Sequence, residues 1–203
     1  MVKNIFDTII SLLLITILIP VFFIVSILVM IFNGFPVLFK QKRLGINSSQ
    51  LNIFKFRTMT PGKSISSHHD ESRITPLGKF LRKTSLDELP TLFNVIKGDM
   101  SLVGPRPLPV KYMNRFNVFQ NRRHEVKPGI TGWAQVNGRN TLSWEEKFEY
   151  DVYYVDHRNF SLDIQILFMT FFQMIRGRGI SPTNQEIMPE FMGTEKNEPS
   201  HQN

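Results

Sequence analysis

The chain has 203 residues, with 24 Lys and Arg against 17 Asp and Glu for a formal charge of +7, and it contains 18 Phe and no Cys. That is one domain's worth of chain with a small appendage, and at 42% hydrophobic residues it can build a core. The absence of cysteine excludes a disulfide-stapled fold, thiolate zinc sites and cysteine nucleophiles.

From Thr8 to Phe39 no residue is charged, and between Ile9 and Phe32 only Ser11, Thr16, Pro20 and Ser26 interrupt aliphatic and aromatic side chains. As helix this apolar run measures roughly 36 Å, enough to cross a hydrocarbon layer of about 30 Å. A cleaved signal peptide fits poorly, because the run is about twice an ordinary apolar signal core and no small-residue cleavage site follows it. Pro20 lies near the middle, where its missing N–H disrupts the helical ladder; a kinked span and a re-entrant hairpin both accommodate it.

After the turn-forming Asn33-Gly34-Phe35-Pro36 the composition becomes that of a basic soluble domain. Lys40, Lys42 and Arg43 follow the membrane segment at once, and the positive-inside rule places the domain in the cytoplasm. A membrane-attached chain directs this charge toward anionic lipid or an anionic substrate rather than nucleic acid.

Gln50 to Met59 alternates as a strand, with Lys55 and Arg57 on one face. Residues 60–76 are polar and turn-rich and read as a loop; the adjacent His68, His69 and Asp70 in it read as solvated side chains, not as a metal site. Helical periodicity returns at Leu77, Phe80 and Leu81, and again from Leu86 to Ile96, ending at Lys97-Gly98. Ser85-Leu86-Asp87-Glu88 fits a capping box, in which Ser85 caps the helix and Glu88 reaches back to the cap's N–H. Most such acidic pairs only stabilise a helix start. Here Pro90 stiffens the backbone, Arg82-Lys83 precede, and Arg106 lies in a rigid Gly104-Pro105-Arg106-Pro107 segment. Carboxylates among cations on a rigid scaffold suit phosphate chemistry, with guanidinium groups on phosphoryl oxygens and a carboxylate that attacks or holds Mg²⁺.

Pro109 to Gln120, with Tyr112, Phe116 and Phe119 set against Lys111 and Arg115, reads as an interfacial helix, as does Ile164 to Ile175, which is too short to span; core packing is the alternative for both. Trp133 and Trp144 read equally as membrane-belt or buried residues. Residues 181–203, punctuated by Pro182, Pro189 and Pro199, read as a mobile tail.

Four stretches together carry a family resemblance: Lys55-Phe56-Arg57-Thr58-Met59, residues 76–90, Met100 through Pro107, and Pro128-Gly129-Ile130-Thr131-Gly132-Trp133. In these the chain resembles the small bacterial monotopic phosphoglycosyl transferases, the polyprenyl-phosphate sugar-1-phosphate transferases, over most of residues 1–180. The resemblance implies transfer of a sugar-1-phosphate from a UDP-sugar to undecaprenyl phosphate, with Mg²⁺ as cofactor, UMP as product and an aspartyl-phosphosugar intermediate. It implies Asp87 as nucleophile and Glu88 as its acidic partner, both also candidate Mg²⁺ ligands. Lys55, Arg57, Arg82 and Arg106 would bind phosphate or uridine, and Asp151 and Asp163 match further acidic positions. In well-described members the membrane helix breaks at a Ser-Pro pair; here the pair is Ile19-Pro20, so the break rests on Pro20 alone.

The expected fold is mixed, mainly α with short β segments. It comprises a re-entrant membrane helix (1–34), a compact cytosolic catalytic domain with interfacial amphipathic helices (35–180) and a flexible tail (181–203). The expected place is the bacterial inner membrane with the domain facing the cytoplasm, and the expected partners are the UDP-sugar donor, undecaprenyl phosphate, membrane lipid and downstream glycosyltransferases, with no nucleic acid. A catalytically silent scaffold recruiting glycan-assembly enzymes is the alternative. An N-acetylated amino sugar is the first expectation for the donor, and a hexose such as galactose or glucose the second.

Overall fold

The computed structural model describes residues 2–60, 62, 73–138, 141–176 and 190–193. His68, His69 and Asp70 lie outside the described residues. Helix α1 (Val2–Asn33) is long and apolar enough to cross a membrane, and it continues helical through Pro20. One side of it lies against the rest of the protein from its first turn to its last. Lys3 pairs with Asp163 at 2.7 Å, and Asp7 accepts a 2.7 Å hydrogen bond from the Ser101 hydroxyl. Phe6 meets Phe160 edge-on, and Phe22 packs on both Phe56 and Phe93. Val25 and Val29 are buried with Phe56 and Leu81, and the Asn33 amide donates to the Arg57 carbonyl at 2.7 Å. The other side, with Ile5, Ile9, Leu12, Ile17, Phe23, Ile24, Ile31 and Phe32, is exposed. A continuous exposed apolar ridge of that length makes α1 a membrane candidate.

Beyond α1 the protein is mainly helical with short strands, as expected. Strands β1 (Leu38–Leu44) and β2 (Gln50–Phe56) form an antiparallel hairpin in which Phe39 opposes Lys55, Gln41 opposes Ile53 and Arg43 opposes Leu51. Opposed residues share a face, so Arg43 and Lys55 project to the same side. Helix α2 (Pro76–Lys83) starts as its sequence dictates, with the Thr75 hydroxyl accepting from the Gly78 N–H and Pro76 in the first turn. Helix α3 (Leu92–Lys97) ends at Gly98, whose φ of 88° closes it after a last-turn Lys97. Asn94, fully buried in α3, accepts from the Phe54 N–H at 3.1 Å and donates to the Asn52 carbonyl at 2.7 Å. Its amide thus supplies β2 with the rung that a third strand would give.

Strands β3 (Ser101–Val103) and β4 (Gly129–Thr131) run parallel, and the turns on either side of them nearly touch. A Cβ on Gly129 would fall 2.1 Å from the Gly104 nitrogen, and one on Gly132 2.2 Å from the Gly104 oxygen. The glycines of the Gly104-Pro105-Arg106-Pro107 and Pro128–Trp133 motifs are therefore demanded by backbone contact. Helices α4 (Val118–Asn121), α5 (Trp133–Val136), α6 (Trp144–His157) and α7 (Phe160–Arg176) complete the fold, and Val103, Val126, Tyr154 and Ile166 join β2 and α3 in the main core.

Three expectations need correction. Residues 85–97 are not one capped helix: Leu86–Thr91 is a 3₁₀ turn containing Pro90, and α3 follows it. Ser85 adopts left-handed geometry (φ 57°) and makes no capping bond, so Glu88 is free to point elsewhere. Pro109 to Gln120 is not one amphipathic helix but a 3₁₀ segment (Val110–Arg115) followed by α4, because Phe116 is extended and Asn117 caps a new start. Tyr112 and Phe116 there pack inward against Trp144, Phe148 and Phe191. The segment 190–193, assigned above to a mobile tail, docks on that cluster: Phe191 is 2% exposed, and Glu190 pairs with Lys111 at 2.5 Å and Arg115 at 2.8 Å.

Of the two tryptophans, Trp144 packs in this cluster and Trp133 stacks on Tyr153, both partly buried. Helix α7 divides its faces. Asp163 and Ile166 are buried, while Phe168, Phe171, Phe172 and Met174 are exposed.

Candidate active site

The 3₁₀ turn carries Asp87 and Glu88, and Glu88 lines a cleft together with Arg43, Lys55, Thr91 and Arg106. β2 supplies Lys55, and the tight β3–β4 pairing holds the segment bearing Arg106. One Glu88 oxygen receives both Lys55 Nζ at 2.6 Å and an Arg106 amino group at 2.7 Å. Burial pushes the Glu88 carboxyl up, but the charges of Arg106 and Lys55 and their hydrogen bonds outweigh it and hold the group well below the usual carboxylate range. Arg106 is raised in turn, chiefly by Glu88, and burial lowers Lys55.

Asp87 behaves differently. It is buried and forms no ion pair or side-chain hydrogen bond with the described residues. Burial first, and then the negative charge of Glu88, push its carboxyl up to about 6 against the opposing pull of Lys55, Arg82 and Arg106. A six-residue 3₁₀ turn offers little helix dipole to offset this, so burial dominates at Asp87. Two adjacent carboxylates thus acquire opposite characters, one saturated by cations and one left open.

The other expected site residues divide. Arg82 donates to the Thr58 hydroxyl at 2.9 Å and contributes to the field at Asp87. Arg57 lies just beyond β2 and turns away, donating to the Phe35 carbonyl at 2.8 Å where the chain leaves α1. Asp151 is buried against Arg123 at 2.7 Å, and Arg123 donates to the Arg106 carbonyl at 2.7 Å. Asp151 thus stands behind the site and steadies Arg106. Asp163 is at the start of α7, binding Lys3 and the Tyr154 hydroxyl, and so anchors the N-terminus of α1. Pro20 lies within the continuous α1.

Arg43 and Arg123 escaped notice in the sequence. Arg43 passed for a membrane-flanking cation, although the two-residue alternation Phe39, Gln41, Arg43 would have placed it on the same face as Lys55 once the hairpin was recognised. Arg123 left no local signal, since its partners lie 17 and 28 residues away.

A buried carboxylate near several cations, on a domain fastened along an apolar helix that is a membrane candidate, suits chemistry on phosphorylated substrates. The comparisons agree. A sequence model of the bacterial sugar transferase family matches residues 1–177, and the chain belongs to that family. It is 51% identical to the uncharacterized sugar transferase EpsL of Bacillus subtilis, over 79% of this chain and 81% of that protein. It is 40% identical to the UDP-glucose:undecaprenyl-phosphate glucose-1-phosphate transferase of Klebsiella pneumoniae, over 84% of this chain. It is also 36% identical to an undecaprenyl-phosphate N-acetylgalactosaminephosphotransferase of Aeromonas hydrophila, over 79% of this chain. The matched region spans only 39% and 40% of the latter two proteins.

Proposed function

We propose that the protein transfers a sugar-1-phosphate from a UDP-sugar to undecaprenyl phosphate at the cytoplasmic face of the bacterial inner membrane, through a covalent intermediate on Asp87. The observation that carries this reading is the contrast within the acidic pair. Glu88 is fixed by Lys55 and Arg106, whereas Asp87 is buried, has no ion pair among the described residues and feels the positive charge of Lys55, Arg82 and Arg106. An Asp87 oxygen attacks the phosphorus that bears the sugar, the bond from that phosphorus to the bridging oxygen breaks, and UMP departs with the electron pair. A phosphate oxygen of the lipid acceptor then attacks the same phosphorus and releases the Asp87 carboxylate. Each substrate visits in turn, so the kinetics are ping-pong.

Among the described residues no three carboxylate or imidazole groups come together as a metal cage. Asp87 with its open oxygens, and Glu88 with the lone pairs its cations leave, fit the other mode, in which one or two carboxylates and substrate phosphates share the ion. A bound Mg²⁺ would neutralise the donor diphosphate and the developing charge on UMP.

The exposed ridge of α1 and the exposed aromatics of α7 support immersion in lipid. Contacts with the domain at both Lys3 and Asn33 support a re-entrant course with both ends on one side. Downstream glycosyltransferases would take up the lipid product.

Enzyme incubated with a panel of UDP-sugars labelled in the sugar, without acceptor, should release UMP and carry the label on Asp87, and Asp87→Asn should do neither. Release of UMP only when both substrates are present, with no labelled protein, would sink the covalent route. Silence toward every donor would favour the scaffold.

A further inference from the structure

We infer that Arg43 forms a second phosphate subsite in the cleft, one that takes the phosphate remaining with the departing nucleotide. The inference rests on the phosphosugar transfer proposed above.

The cleft holds more positive than negative charge. Arg43, Lys55 and Arg106 line it together with Glu88, whose carboxylate is already shared between Lys55 and Arg106. Arg43 has no carboxylate within ion-pair distance among the described residues. Its guanidinium donates instead to neutral groups, the Gln41 side-chain oxygen at 2.7 Å and the Pro107 carbonyl at 3.5 Å. Partial burial, followed by the proximity of Arg106, lowers its proton affinity to about 10. A cation drawn out of water beside another cation, with only neutral partners, costs free energy that an anion would recover. At least three of its five N–H donors are left for that anion, and Gln41 fixes the plane in which they point.

Position selects which phosphate. Along the hairpin Arg43 stands opposite Leu51, two rungs from Lys55 on the shared face and on the side away from Thr58, to which Arg82 donates. Asp87 lies between α2, which bears Arg82, and Glu88, so the order runs from Arg82 and Asp87, through Glu88 with its two cations, to Arg43. In-line attack by Asp87 puts the bridging oxygen on the far side of the reacting phosphorus, and the nucleotide's own phosphate beyond it, toward Arg43.

The test uses the full chain in lipid nanodiscs. In Arg43→Gln the UMP concentration that halves turnover should rise at least tenfold, as should the donor KM for Asp87 labelling. Transfer from pre-labelled enzyme to undecaprenyl phosphate should keep the wild-type rate, and inhibition by uridine alone should not change. Arg43→Lys should recover part of the loss. Gln41→Ala keeps the charge but frees the guanidinium; it should give a smaller rise, and it serves if Arg43→Gln does not fold. Unchanged UMP inhibition overturns the proposal. Unchanged UMP inhibition with slowed second-step transfer does so too, by assigning Arg43 to the acceptor phosphate. Failure of the wild-type enzyme to release UMP from any donor would instead sink the transferase reading, whatever Arg43 does.

Discussion

Arg106 meets Glu88 through a planar guanidinium whose two amino groups lie 2.7 and 3.5 Å from its two oxygens. Arg106→Lys keeps the charge and loses that fork, so it can neither hold Glu88 as well nor grip two phosphoryl oxygens together. Turnover should fall by well over tenfold in steady-state assays of UMP release; near-normal turnover would make Arg106 a surface cation. At this scale the sequence was partly legible. Asp87, Glu88 and Arg106 could be named because an acidic pair and a stiff arginine segment are local patterns. The contrast between the two acids was not legible, because it arises from Lys55, 33 residues away, and Arg106, 18 residues away. For the same reason Arg57, expected at the site, serves the exit of α1 instead: β2 stops one residue short of it and the shared face is lost.

Among the elements, the hairpin and α3 are joined by the Asn94 amide as well as by the core that Leu51 and Ile53 share with Leu92 and Val95. Asn94→Leu keeps the branched shape of the side chain but leaves the part-buried Phe54 N–H and Asn52 carbonyl without their partner. It should lower stability by about 2 to 4 kcal/mol in denaturant titrations of the detergent-solubilised protein. A second joint, at the hairpin turn, is sensitive to pH. The His124 ring donates from Nδ1 to the Gly45 carbonyl, with Phe116 edge-on, and burial first and Arg123 second lower its affinity for a proton to about 4. The unfolded chain binds that proton near pH 6.5, so the folded state holds fewer protons between about pH 6.5 and 4. Stability contributed by the neutral ring is complete above that window and declines as pH falls through it. Asp87 and Asp151, both raised to about 6, titrate in the opposite sense over the same range. The decline should therefore appear as the difference between thermal melts of the wild type and of His124→Gln, which narrows as pH falls. Sequence pattern named the hydrophobic helices well and misread Ser85, because the motif gives the same letters whether the first residue caps a helix or turns left-handed ahead of a proline-bearing 3₁₀ turn.

For the molecule as a whole, the proposed topology is directly measurable because the chain contains no cysteine. A thiol introduced by Val2→Cys should resist a membrane-impermeant reagent in intact cells and react after lysis. Labelling from outside would show that α1 crosses the bilayer. The apolar run was plain in the sequence, but its attachment to the domain was not: Lys3 meets Asp163 across 160 positions, and no periodicity encodes such a pairing. The docking of Phe191 on Tyr112, Trp144 and Phe148 was hidden in the same way, inside a stretch whose composition looks unstructured.

The fastening of α1 at both Lys3 and Asn33 also acts on the surrounding lipid. On the proposed re-entrant course its exposed ridge displaces acyl chains on one side of the bilayer only. That leaflet is then spread while the opposite one is not, and the protein acts as a wedge. Insertion should therefore be easier where the leaflet is already loosely packed, with highly curved vesicles taking up the protein more readily than flat, tightly packed ones.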